Sequence, residues 1–184
     1  MGLSVLGMGT FAPSDLGRQV DRLSATVSHT MDVVRYLATN LRPATLDLGL
    51  VPAIEWLADD FSDRWGIVCR VDVRCDQDDL DAINATSIFR IVQESLTNIS
   101  RYAKAGEVKI RVSFKPDEID VSISDDGRGF DPGEVMIKKT FGLLGMRERA
   151  LTLGGDLMIL SRPGRGTTIA VKVPLKRAIL EALT

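Results

Sequence analysis

Residues 118–130 read EIDVSISDDGRGF. Ile119, Val121 and Ile123 alternate with polar residues, which predicts a half-buried strand running directly into Asp125-Asp126-Gly127-Arg128-Gly129-Phe130. Taken alone, Asp-Asp-Gly is most often a plain turn. At the end of a strand a second reading opens. A carboxylate there can accept a hydrogen bond from an exocyclic amine, and the glycines let the backbone approach a flat base. These residues by themselves leave both readings standing.

Working outward, VKIRVSF (108–114) alternates in the same way and joins the first strand through a Lys115-Pro116-Asp117 turn. Before it, residues 81–103 carry Ile88, Ile91, Val92, Ser95, Leu96 and Ile99 at helical spacing. Upstream again lie a strand, IVCRVDVR (67–74), and a helix from about Gly49 to Trp65. Downstream, residues 125–140 have neither period and are expected to form a mobile loop. GLLGMRERALTLGG (142–155) predicts a helix starting near Gly142 and stopped by Gly154-Gly155. DLMILSR and TTIAVKVPL predict a last hairpin around residues 163–166. The sum is an α+β fold, a mixed sheet with helices on one face.

At the other end, Leu16, Val20, Leu23, Val27, Val34, Leu37 and Leu41 follow a 4,3,4,3 series with Thr30 filling the gap. Such a narrow stripe predicts a helix that pairs with another, in a bundle between subunits, and Arg42-Pro43 ends it. The domains expected are therefore residues 14–42 as a partial dimerisation helix and 43–176 as the α+β domain. Residues 1–13 fall outside the fold as a disordered start, and 177–184 form a C-terminal tail.

The chain has 184 residues and 45% hydrophobic content, enough for one sizeable core. A net charge of −2 supplies no broad cationic field for nucleic acid, so an acidic ligand must be held locally. Cys69 and Cys75, with five residues between them and a single histidine in the chain, match no zinc or redox spacing. No apolar run approaches the roughly 20 residues that cross a bilayer, and the start lacks a basic leader, so no membrane contact and a cytoplasmic location are expected.

Candidate chemistry gathers on four elements. On the long helix, Glu94 and Asn98 stand one turn apart, with Arg101 and Tyr102 at i+7 and i+8, on one stripe. A carboxylate and an amide oxygen at that spacing can hold magnesium or its waters; a solvated helix face fits equally well. Asp125 with Gly127 and Gly129 is the second element. Gly142 and Gly145 open a helix whose first N–H groups attract phosphate. Thr167 follows Gly164-Arg165-Gly166, where its hydroxyl can meet a phosphate or cap a turn.

In order, QESLTNISRYAKA (93–105), SDDGRGF (124–130), FGLLGMRERA (141–150) and GRGTTIAVKVP (164–174) resemble the N box, two glycine boxes and final Gly-Thr segment of two-component sensor histidine kinases. LRPATLDLGLVPAIEWL (41–57) is similar to the nitrate/nitrite-sensor type. The resemblance, which runs from about residue 41 to 175, implies the GHKL (Bergerat) ATP-binding sandwich. Carried over residue by residue, it implies that Asp125 reads the adenine amine while Gly127 and Gly129 line the base pocket. Asn98 coordinates magnesium, and Glu94 hydrates it or acts as a general base. Gly142 and Gly145 free a lid and present phosphate-binding amides, and Thr167, Arg101 and Tyr102 lie near the nucleotide. Tyr102 replaces a histidine common in that family, so its role stays unassigned.

The resemblance implies ATP and magnesium as ligands, a homodimeric bundle, a response regulator as partner, and a phosphoacceptor histidine on the first bundle helix. His29, in SHTMD, points off the heptad seam but is followed by Thr30 rather than an acid, which favours an ordinary solvated histidine and an acceptor outside this chain. Lys138, Lys139 and Arg128 can add charge beside the lid or simply be solvated. Trp56, Trp65, Phe89 and Tyr36 are expected at core or helix-contact positions. Three other readings share the motifs: an ATPase using Glu94 as base, a nucleotide-sensing dimerisation module without turnover, and a serine kinase of the anti-sigma type.

Overall fold

The structure is a computed structural model that describes residues 44–74, 80–133 and 141–175, together with Thr26, which is helical. The heptad helix as a whole, His29, Tyr36, Cys75, Lys138, Lys139, the leading 13 residues and the tail lie outside the described residues. The chain divides at Arg42–Pro43 into two compact units, and the elements below belong to the second.

A 3-10 turn, Ala44–Leu48, leads into helix α1, Leu50–Trp65. Its buried residues, Leu50, Ala53, Ile54, Leu57, Ala58 and Phe61, recur every three or four positions and make one continuous stripe. Gly66 stops the helix in the left-handed region (φ 65), donating its N–H to Ser62 O at 2.9 Å. Ser62 Oγ then accepts the Cys69 N–H, so the helix end steers the chain into strand β1, Val68–Arg74.

Helix α2, Ala82–Asn98, starts on Asp81, whose carboxylate accepts N–H groups from Ile83 and Asn84 at 2.9 Å. It buries Ile88, Phe89, Ile91, Val92 and Leu96, then widens into a π turn over Ile99–Ala103. Lys104, in the left-handed region at φ 53, releases the chain into strand β2, Glu107–Phe114. Strand β3 is Glu118–Asp125, helix α3 Phe141–Thr152, strand β4 Asp156–Ser161 and strand β5 Thr167–Pro174.

The sheet order is β1-β2-β3-β5-β4. Only β1–β2 is parallel, as a pair joined through a crossover helix must be, and the other three pairs are antiparallel. Register stacks the apolar positions: Ile110 faces Ile123, which faces Ile169, and Val112 faces Val121, which faces Val171. These side chains pack beneath the helices and are almost fully buried. Each such side chain contributes about 1.5–3 kcal/mol. The mixed sheet with helices on one face is the expected architecture. Phe89 is core as expected, but Trp56 and Trp65 are not, at 52% and 56% exposed. Both lie beyond the stripe that α1 turns to the sheet. Among the described residues no helix is long and apolar enough to cross a membrane.

Candidate nucleotide site

Asp125 is the last residue of β3 and pairs with Val108 on one side and Thr167 on the other. Its Oδ1 accepts the Gly127 N–H at 2.8 Å. Burial pushes its carboxyl above the ordinary range; the backbone N–H groups of Gly127 and Thr167 pull it part of the way back, and neighbouring Asp126 adds a further upward push. Asp126 turns elsewhere: its Oδ1 accepts the N–H groups of Gly106 (2.8 Å) and Glu107 (3.0 Å). Those bonds, Glu107 first, hold its carboxyl below the ordinary range. The two adjacent acids thus have separate work, Asp125 half-buried beside Gly127 and Asp126 clamping the loop to β2.

Gly127 is buried against the π turn. A methyl there would lie 2.8 Å from Ala103 Cβ and 2.7 Å from Asp125 Oδ1 and would collide with Ala103 O. Arg128 N–H donates to the same carbonyl at 2.8 Å. Gly129, at φ 58, presses on Arg162 O and lies 2.8 Å, by its missing Cβ, from Gly166 O. The loop is tied to the β4–β5 turn by Gly164 N–H to Arg128 O (2.6 Å) and Phe130 N–H to Ser161 Oγ (2.9 Å). Ser161 Oγ also donates to Gly166 O and lies 2.9 Å from Thr167 Oγ1. The expected mobile loop is therefore pinned over residues 126–130, where the N–H groups of Asp126, Gly127, Arg128 and Phe130 and the carbonyl of Arg128 all find partners; residues 134–140 lie outside the described residues.

On α2, Glu94 and Asn98 are half-buried, and Gly142 at the start of α3 sits directly on them. A methyl on Gly142 would collide with Glu94 Oε1 and stand 3.6 Å from Asn98 Nδ2. Asn98 Nδ2 is buried with no hydrogen-bond partner. Met146, fully buried one turn further along α3, meets Ser95 Oγ at 3.5 Å and fixes the two helices together. Gly145 lies beside Arg149, 3.1 Å from its Nη1 by the same measure.

Magnesium fits this donor set. Glu94 and Asn98 bring a carboxylate and an amide one turn apart, and the buried amide end can present its oxygen as readily as its nitrogen. Among the described residues no three His, Cys, Asp or Glu side chains form a closed cage, so phosphate oxygens would have to complete the shell.

The predicted residues thus meet in two groups along one helix. Asp125, Gly127 and Thr167 gather at the Ala103 end, and Glu94, Asn98 and Gly142 gather one to two turns back. Arg101 and Tyr102 stand on the π turn beyond Asn98 and are both exposed, Tyr102 at 57%. The π turn changes the angular step after Asn98, which α-helical spacing does not anticipate. Sequence reasoning also missed Asp126 and Ala103, for which a second acid and a small residue are weak signals. It missed Arg90 as well. That guanidinium is 8% exposed, donates from Nη1 to Gln93 Oε1 at 2.6 Å and lies 5.9 Å from the Phe89 ring centroid. Burial, then Arg149, lowers its pKa.

A depression of about 370 Å³ lies at the far end of β3, bounded by Asp117, Glu118 and Lys172, and has no part in this site. The geometry is that of two glycine motifs closing on one polar helix, and the family model described as histidine kinase-, DNA gyrase B- and HSP90-like ATPase matches residues 83–177, just over half the chain. The chain belongs to that ATPase family. Its relatives within the family include the signal transduction histidine-protein kinase/phosphatase DegS of Brevibacillus brevis, 32% identical over 86% of this chain and 41% of DegS. The oxygen sensor histidine kinase NreB of Staphylococcus carnosus is 33% identical over 84% of this chain and 45% of NreB. The chain spans less than half the length of the curated relatives it matches. Among solved structures, the histidine kinase domain of the Erythrobacter litoralis EL346 blue-light activated kinase superposes with a TM-score of 0.56 at 26% identity, covering 67% of this chain and 61% of that one.

Proposed function

We propose that this chain is the ATP-binding catalytic module of a sensor histidine kinase, which presents the γ-phosphoryl of Mg-ATP to a histidine outside the chain. The contact of Gly142 with both Glu94 and Asn98 carries the reading, because it brings the second glycine motif to the helix that the first one already holds at Ala103. Asp125 accepts from the adenine amine, and Gly127 lets the base approach. Glu94 and Asn98 would hold magnesium, which when bound neutralises phosphate charge and aligns the transferred group. The amides at the start of α3 receive the phosphates. Thr167 orients Asp125 through its backbone N–H. Gly129 secures the loop to the hairpin, and Gly145 leaves room for Arg149. A homodimeric bundle and a response regulator complete the system, on the cytoplasmic side where ATP is found.

Incubation with γ-labelled Mg-ATP tests this. The chain alone binds nucleotide and stays unlabelled, whereas a protein that also carries the acceptor helix gains acid-labile label. Label on His29 of this chain alone would contradict the outside acceptor. Glu94 against Gly142 also suits a water-activating base, which is the ATPase reading. Phosphate release well above background that disappears in Glu94→Gln would favour it.

A further inference from the structure

Helix α3 runs back along α2. Its first glycine, Gly142, lies against Glu94 and near Asn98, and one turn on Met146 meets Ser95 Oγ at 3.5 Å. A further turn brings Arg149 beside Arg90, close enough that its like charge, after burial itself, lowers the Arg90 pKa. Two guanidinium groups thus share the seam between the helices, beyond Glu94 as counted from the Ala103 end of α2.

Arg149 leans toward the start of its helix, as helical side chains do. Its Nη1 stands 3.1 Å from the place a Gly145 Cβ would take, so the glycine makes room for it. Gly145 is three residues, about 4.5 Å, along α3 from Gly142. The cation therefore arrives just behind the amides at the helix start. It is half-buried and enters no ion pair or side-chain hydrogen bond with the described residues. A solvated arginine has room to keep clear of a second guanidinium. This one stays beside Arg90, which is 8% exposed. Partly desolvated like charges repel, and an anion placed between them turns the repulsion into attraction.

We propose that Arg149, backed by Arg90, reads the terminal phosphate of the nucleotide and makes the site favour a triphosphate over a diphosphate. The inference rests on the nucleotide reading given above. On that reading the groups follow the ligand in order: Asp125 for the base at the Ala103 end, Asn98 and Glu94 for the metal and inner phosphates, and the arginines last. From Asn98 to Arg90 is eight residues, about 12 Å along α2. The planar fork of Arg149 can donate to two phosphate oxygens at once, which a point charge cannot do. A diphosphate ends before it reaches that fork.

The test is calorimetric titration of Mg-ATP and of Mg-ADP into the whole chain and its Arg149 variants. Arg149→Gln is expected to weaken ATP at least about 10-fold and to change ADP by less than about 2-fold, so the ratio of the two Kd values shifts. Arg149→Lys, which keeps the charge and loses the fork, recovers part of that ratio. Without nucleotide, the thermal midpoint of Arg149→Gln does not fall, because the variant removes a like charge from beside Arg90. An arginine that only held the helices together would lower the midpoint and weaken both nucleotides alike. An unaltered ratio of Kd values in Arg149→Gln, or equal losses for ATP and ADP, overturns this inference while leaving the nucleotide reading in place. Failure of the wild type to bind either nucleotide overturns both.

Discussion

At Asp125 burial and hydrogen bonding pull in opposite directions, and burial wins: the carboxyl titrates above its ordinary value. An acid whose pKa is raised by folding destabilises the fold while ionised, a cost present at neutral pH and relieved as pH falls through the folded pKa. Asp125→Asn is therefore expected to raise the thermal midpoint at pH 7, with the difference from wild type shrinking toward acid, as thermal melts across pH would show. The same substitution should weaken ATP, since it replaces an ionised acceptor with a neutral one. ATP affinity of the wild type should likewise decline on acidification, starting above the range of an ordinary aspartate. That Asp125 ends a strand was legible from the alternation before it. The clamp made by Asp126 was not, because its carboxylate serves Gly106 and Glu107, far back in sequence.

Helices and strands show where local pattern suffices. Alternation in residues 108–114 and 119–123 placed β2 and β3 because each has one buried face, and Asp81 marked the start of α2 because its side chain caps it. The π turn at Ile99–Ala103 has no such signature. It ends where Gly127 packs against Ala103 and the Arg128 N–H donates to the Ala103 carbonyl, contacts distant in sequence that local spacing does not contain. At the start of α3, Gly142→Ala tests the closure directly. Alanine favours the helix by up to about 1 kcal/mol, so overall stability should change little. Its methyl nevertheless pushes on Glu94, and the gain in ATP affinity that magnesium confers should fall, measured as the ratio of Kd values with and without the ion. On β1, burial and then Asp59 push the Cys69 thiol up to about 11 from an ordinary 9.0. Iodoacetamide at pH 8 should therefore modify Cys69 much more slowly in the folded chain than after denaturation. Because folding favours the thiol, the stability it contributes is complete below pH 9 and is lost as pH rises toward 11.

Across the whole molecule, α2 acts as the common wall. Its Ala103 end is bonded to the first glycine motif, its middle touches Gly142, and its opposite face fills the core with Phe89, Ile91 and Val92. The candidate site groups Glu94 and Asn98 are thereby built on a helix that the core holds in place. The order of the four motifs made this architecture readable in advance, since the fold has to bring them to one side of the sheet. The insertion of β5 between β3 and β4 was not readable, because only the fold pairs Ser122 with Ala170 and Ala170 with Met158. The central claim, that these separated segments enclose one adenine nucleotide, is tested most directly by calorimetric titration of ATP and GTP into the wild type and Asp125→Ala with magnesium present. The account predicts saturable binding of one ATP per chain, weaker GTP, and a loss of about 5-fold to about 150-fold in ATP affinity for the variant. Equal ATP affinity in wild type and variant, or no saturation by ATP at all, would contradict it.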